Sequence, residues 1–266
     1  MKRLVPGLIM TILWVVLLVF GPPVLFWLVI VAIAAYGLLE YFRMTVSSPT
    51  SVMTGVKIAV SLLPVLAAVA GRPDLLLGSL FFSLFLWIML VLGRYARIDN
   101  GLNFLGTGCL GILYISFALA HLVLIRSLPQ GAGWLLVLTA ITAGGDTGAY
   151  YIGSTMGRRK LCPVISPKKT VEGAIGGISA GMLCAVAAGW YFLPGVSPAL
   201  IALAAFLLAV VSIFGDLTES IIKRAVGVKD SGRLLFGHGG VLDRIDSLLV
   251  AGPVLYYFLL LLGRWS

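Results

Sequence analysis

The sequence predicts an all-α, polytopic integral membrane protein with about nine transmembrane helices and a cytoplasmic N-terminus. Three observations carry that reading. The chain of 266 residues is 60% hydrophobic and only 11% charged, whereas soluble domains carry about 25% charged residues. Its mean hydropathy is +1.09. Apolar runs recur from end to end, each near the roughly 20 residues that a helical span needs, without the short alternating segments of a membrane barrel.

The expected helices run over about 4–20, 23–42, 52–70, 74–93, 102–125, 132–153, 173–193, 198–223 and 246–263. Gly21-Pro22-Pro23 makes a hairpin between the first two. Gly71-Arg72-Pro73-Asp74 and Leu193-Pro194-Gly195-Val196-Ser197-Pro198 are further tight turns. Met1-Lys2-Arg3 and the small residues Ala32-Ile33-Ala34-Ala35 imitate a signal peptide. The apolar run before them is too long for a signal core, so an uncleaved first helix is expected. No internal repeat stands out, and residues 1–266 read as one membrane domain. Within it, 1–130 supplies N-terminal helices, and 131–266 supplies further helices and the longer cytoplasmic loops. Cys109, Cys162 and Cys184 share no metal-like spacing and read as reduced, structural thiols.

The basic residues orient the chain. With the N-terminus inside, the cytoplasmic segments hold all of the nineteen Lys and Arg except Arg72, Arg126 and Arg264. The isoelectric point near 9.7 therefore describes one face, lying against a membrane. That placement speaks against a nucleic-acid partner and for anionic head groups and phosphate substrates.

The acids are also uneven. Asp146, Glu172, Asp216, Glu219, Asp230, Asp243 and Asp246 lie beyond residue 145, leaving three in the first half. Asp146, Asp216 and Glu219 fall inside expected spans, where carboxylates are costly and usually line a polar cavity. Asp216, Glu219, Ser220, Lys223 and Arg224 follow helical spacing and form one polar stripe. Asp243 and Asp246 share a helix face. The two groups are expected to meet near the cytoplasmic surface, as hard oxygen ligands suited to Mg²⁺. A plain salt-bridge network of Asp216, Asp243, Lys223 and Arg244 is the competing account of the same charges.

Two loops add cations. In Ser166-Pro167-Lys168-Lys169-Thr170, Ser166 is expected to cap a helix with Pro167 at its first position. Lys168 and Lys169 then stand in the first turn, where free N–H groups favour an anion. Arg158, Arg159 and Lys160 are covered by the positive-inside bias alone. In residues 229–246, Lys229, Arg233 and Arg244 surround Gly237-His238-Gly239-Gly240. Those glycines permit close backbone approach to a ligand, and His238 is placed for phosphate or nucleobase contact or for proton transfer. His121, on an apolar helix, reads as packing.

Together these blocks resemble the phosphatidate cytidylyltransferase (CDP-diacylglycerol synthase) family. The resemblance rests on Ser220-Ile-Ile-Lys223-Arg224, Lys229-Asp230, Gly237-His238-Gly239-Gly240 and Asp243-Arg244-Ile-Asp246, with Ser166–Thr170, Gly215–Ser220 and Asp146–Tyr150 as further blocks. Phe236 stands where the family usually has Pro, and Val171 where it often has Trp. Neither departure removes a polar group, so they touch loop shape and packing. The resemblance implies that CTP and phosphatidic acid give CDP-diacylglycerol and pyrophosphate, in a homodimer of the inner membrane whose active site faces the cytoplasm. It implies Mg²⁺, with K⁺ as a second cation. Asp216 and Asp243 are the leading ligands, and Asp246, Glu219 and Asp146 are further ones. Lys223, Arg244 and His238 join the catalytic set. Ser166, Lys168, Lys169, Thr170, Ser220, Arg224, Lys229, Arg233, Gly239 and Gly240 are the expected substrate contacts. The alternatives are a cytidylyltransferase for another lipid phosphate and a cation-coupled transporter. The latter predicts midplane acids and paired broken helices, whereas the charges here crowd toward one end.

Overall fold

The computed structural model describes residues 4–46, 51–232 and 239–263. Eleven α-helices and one short hairpin account for nearly all of them. Six helices are long and apolar enough to cross a membrane, or seven if one bent pair counts as a span. All-α membrane architecture is therefore what the residues build. The expected number of spans is not reached on length and composition, because α1 (Leu4–Phe20) and α8 (Gly131–Met156) fall outside that set. α8 is long enough, but it carries Asp146 and a run of Gly and Thr in its second half.

The residues form two compact units. The first holds α1, the 128–229 segment and α11 (Leu242–Leu261) from Ile245 onward. Its centre is the pair α8 and α9 (Val171–Phe192), joined by α10 (Pro198–Ala225). α8 and α9 approach almost backbone to backbone. A Cβ on Gly148 would lie 2.7 Å from the Gly176 carbonyl oxygen, and one on Gly177 would lie 2.8 Å from that of Gly145. Small residues at such spacing allow van der Waals packing that lipid-facing leucines do not. Trp14 of α1 donates to Thr139 Oγ1 of α8 at 2.9 Å.

Between α8 and α9 the chain makes an antiparallel hairpin, β1 (Lys160–Cys162) and β2 (Ser166–Thr170). The expected helix start at Ser166 is thereby corrected. Pro167 disfavours helical geometry at the residue before it, and the ladder pairs Lys160 with Thr170 and Cys162 with Ser166. The cap of α9 is Thr170, whose Oγ1 accepts the Gly173 N–H at 3.1 Å. Glu172, in the first turn, accepts the N–H groups of Arg158 and Arg159 at 3.0 and 3.2 Å. Lys168 and Lys169 consequently stand on a strand just before the helix.

The second unit holds residues 21–127 and 230–244. It contains α2 (Pro23–Thr45), α3 (Ser51–Ser61), α4 (Leu63–Ala67), α5 (Pro73–Leu92), α6 (Gly101–Gly111) and α7 (Ala118–Ser127). α3 and the α4 segment are bent by 44°, at Pro64, which cannot donate to the preceding turn. α6 and α7 form one span through a π-helical stretch, Ile112–Phe117. At its centre Phe42, Trp87 and Phe104 stack, with centroids 5.5 and 5.4 Å apart. Gly108 makes room for Trp87, since a Cβ there would lie 1.6 Å from the indole.

Lys57 ends this column, with Nζ 4.9 Å from the Phe104 centroid, and is only 3% exposed. A desolvated cation–π contact contributes about 2 kcal/mol. Burying an ammonium costs several kcal/mol, so the ring alone does not offset it.

Candidate active site

The first unit encloses a cavity of about 420 Å³. Its polar lining comes from four elements. α8 contributes Thr142, Asp146, Tyr150 and Ser154; the hairpin contributes Lys168, Lys169 and Thr170; α10 contributes Ser212 and Asp216; and α11 contributes Ser247. Ile141, Ala149, Ile178, Ala209 and Ile213 form an apolar wall. Such a pocket suits a ligand with an anionic head and a greasy body.

Two forces set the polar side. Lys169 makes an ion pair with Asp216, tying β2 to α10. Asp246, a half-buried residue of α11, lies in the electrostatic field of Asp216, Asp146 and Lys169. Three carboxylates and an ammonium are thus gathered within one unit. One turn before Asp216, the buried Ser212 hydroxyl has no hydrogen-bond partner among the described residues. A buried hydroxyl left that way beside a cavity is a polar group that a water or a ligand in the cavity would satisfy.

The other expected site residues divide differently. Glu219, 1% exposed, accepts from Lys223 at 2.9 Å, so this pair is an internal ion pair of α10. That replaces the Lys223 pairing of the expected salt-bridge network. Ser220 is half-buried on the same helix. Arg224 is exposed and donates to the carbonyls of Ile165 and Val228, at 3.4 and 3.3 Å. Lys229 and Arg244 are exposed, and Ser166 is half-buried on β2. Arg233 and His238 lie outside the described residues.

Asp243 belongs to the second unit, where its Oδ2 accepts from Ser231 N, Ser231 Oγ and Gly240 N at 3.0, 2.9 and 2.8 Å. Gly239, at φ +79°, passes so close that a Cβ would lie 2.6 Å from this oxygen. Gly239 and Gly240 thus admit a carboxylate of the chain itself. Beside them stands Glu40, which the sequence reading did not single out. It is 6% exposed and accepts from Val241 N at 3.1 Å, Leu242 N at 2.9 Å and Ser231 Oγ at 3.3 Å. It serves as a cap for α11 supplied by α2, satisfying first-turn donors that would otherwise be orphaned.

No group of three or more His, Cys, Asp or Glu side chains is already assembled as a metal cage among the described residues. Mg²⁺ does not need one. It binds through one or two carboxylates and keeps waters and substrate phosphate oxygens. Asp146 and Asp216, both on the rim of one cavity, offer that donor set.

The fold and cavity define a class: an integral membrane protein with a largely apolar pocket that also carries the Lys169–Asp216 ion pair. A profile described as the cytidylyltransferase family matches residues 1–262. Among curated proteins, the chain is 39% identical over 215 residues to a phosphatidate cytidylyltransferase of Synechocystis sp., covering 79% of this chain and 70% of that protein. It is 41% identical over 196 residues to a protein of the same name from Brucella suis, covering 64% and 68%. A third, from Bacillus subtilis, is 37% identical over 177 residues, covering 65% and 66%. The chain belongs to the cytidylyltransferase family, and it is an enzyme.

Proposed function

We propose that the chain transfers the cytidylyl group of CTP to phosphatidic acid, releasing pyrophosphate and leaving CDP-diacylglycerol in the membrane. The observation that supports this most is the cavity itself, which is lined by Asp146, Asp216, Lys168 and Lys169 together with Ile141, Ile178 and Ile213. A lipid phosphate with its glycerol and first acyl carbons matches both kinds of lining. The relatives named phosphatidate cytidylyltransferase point to the same pair of substrates. The cavity is read as opening toward the cytoplasm, where CTP is found. The family resemblance adds a homodimer, which mass measurement of the detergent-solubilised enzyme tests.

In this reading, a phosphate oxygen of phosphatidic acid attacks the α-phosphorus of CTP. The bond from that phosphorus to the oxygen bridging to the β-phosphate breaks, and pyrophosphate leaves with the electron pair. A phosphomonoester with a second pKa near 6 is largely ionised at neutral pH, so no general base is required. The work left to the protein is to bring two anions together. Lys168 and Lys169 offset their repulsion, and Asp216 holds Lys169 in place for that role. Thr170, capping α9, keeps the strand end and helix start in register. Asp146 and Asp216 would hold Mg²⁺, which would supply charge neutralisation for the departing pyrophosphate, and Asp246 would add its field to theirs. Asp243 and Glu40 act one step removed, by fixing the 231–242 backbone.

The test uses the purified chain in mixed micelles with labelled CTP, Mg²⁺ and phosphatidic acid. Label should enter the organic phase, and EDTA or omission of the lipid should stop it. Transfer to a polyprenyl phosphate but not to phosphatidic acid would assign a different lipid acceptor. No transfer to any lipid phosphate would refute the reading.

A further inference from the structure

We propose that the second unit carries a separate binding site for an anionic phospholipid head group, built around Lys57. Lys57 is 3% exposed on α3. It makes no ion pair among the described residues, and all ten acids of the chain are among those residues. The charged side chain that acts on it is a second cation, Arg94, just past the end of α5. Its ring partner Phe104 lies in the first turn of α6, so the positive end of that helix dipole adds to the same field.

The acids of this unit are otherwise placed. Glu40 and Asp243 take backbone and Ser231 donors. Asp74 pairs with Arg72. Asp99 and Asp230 are exposed and make no ion pair with Lys57. A buried ammonium beside a second cation and a helix N-terminus therefore has no protein anion to neutralise it. A charged group placed inside a membrane protein marks a functional site, and the missing partner here is an anion.

The surroundings select a lipid as its source. Leu92 and Tyr95 stand two and one positions from Arg94 along the chain, Leu102 stands two from Phe104, and they are 62%, 66% and 81% exposed. α5 is itself one of the membrane-crossing candidates. A phosphate at Lys57 and Arg94 would thus have apolar surface beside it for acyl chains, which a free inorganic ion does not use. This site uses none of the residues assigned to the proposed transfer reaction.

Phosphatidylglycerol tests it without confusion with the reaction, because its phosphodiester offers no monoester to be cytidylylated. The full chain is purified in mild detergent and lipid retention is read by native mass spectrometry, with thermal unfolding alongside. The wild type should retain phosphatidylglycerol over phosphatidylcholine. Lys57→Met should lower that retention about fivefold or more, and Arg94→Gln, an exposed change that leaves the aromatic column alone, should lower it about threefold, in keeping with ~1 kcal/mol per basic residue. Lys57→Arg should keep it. Equal retention of the two lipids by the wild type would overturn the proposal. So would Lys57→Met and Arg94→Gln variants that hold phosphatidylglycerol as the wild type does. Inorganic phosphate at matched concentration should leave the unfolding temperature unchanged, and a stabilisation equal to that given by the lipid would overturn the assignment of a lipid occupant.

Discussion

Two sets of carboxylates, one in each unit, show how differently a membrane protein can treat the same chemical group. In the first unit Asp146 and Asp216 border a cavity and face ammonium groups, with 33% of the Asp216 side chain still exposed. In the second, Glu40 and Asp243 are met by backbone N–H groups and one hydroxyl. In the first arrangement the carboxylates border space that a ligand can enter, and one of them holds Lys169. The second uses its carboxylates to hold a loop and a helix start. The residue type is the same in both sets, and the partners are what differ.

Substitutions can sharpen this contrast. The largest effect is expected at Asp216→Asn, which should lower turnover about 10³-fold, the loss seen when a charge-stabilising group is removed from a water-poor site. Folding should change little, because the side chain is partly solvated. Turnover within a factor of a few of wild type would move the site elsewhere. Glu40→Ala should do the reverse, costing about 3 kcal/mol by leaving buried donors without an acceptor, as read by thermal unfolding. Glu40→Gln keeps one carbonyl oxygen and should cost about 1 kcal/mol. An unfolding curve unchanged by Glu40→Ala would mean that α11 does not need its distant cap.

The two lysine–carboxylate pairs give a finer version. Lys223 and Glu219 are 12% and 1% exposed, whereas Lys169 and Asp216 are 27% and 33% exposed. Lys223→Met should therefore lower stability by about 3 kcal/mol, since it removes the partner of a buried charge. Lys169→Met should spare stability and raise the KM for substrate about tenfold, through loss of one charge-assisted contact of roughly 1.5 kcal/mol. If both variants lost stability alike, the cavity pair would be scaffold too. The smallest change is expected at Lys229→Ala, an exposed position, with stability within about 0.5 kcal/mol of wild type.

The sequence revealed the helices well, because apolar runs broken by Gly-Pro clusters leave few other readings. α1, α5 and α10 begin and end within two residues of expectation. Asp146 and Asp216 were visible as acids inside expected spans, and Lys168 and Lys169 as cations beside a helix start. Ser212 was within reach, since it extends the Asp216 stripe by one turn. Other features were hidden for physical reasons. Ser-Pro-Lys-Lys-Thr fits either a capped helix or a strand before a cap at Thr170, and the pairing with Lys160–Cys162 decides between them. Glu40 is a lone acid in an apolar helix, and its partners lie 191 to 202 residues away. No local spacing encodes that contact. The division into two units, with the 230–244 segment grouped with residues 21–127, is likewise a long-range property.

The most direct test of the central claim follows where each phosphate of CTP goes. The wild-type chain would be given phosphatidic acid and CTP labelled either at the α- or at the γ-phosphate. Attack at the α-phosphorus predicts that the α-label enters the lipid phase while the γ-label stays in water as pyrophosphate. A γ-label found in the lipid would reveal phosphoryl transfer instead and contradict the account.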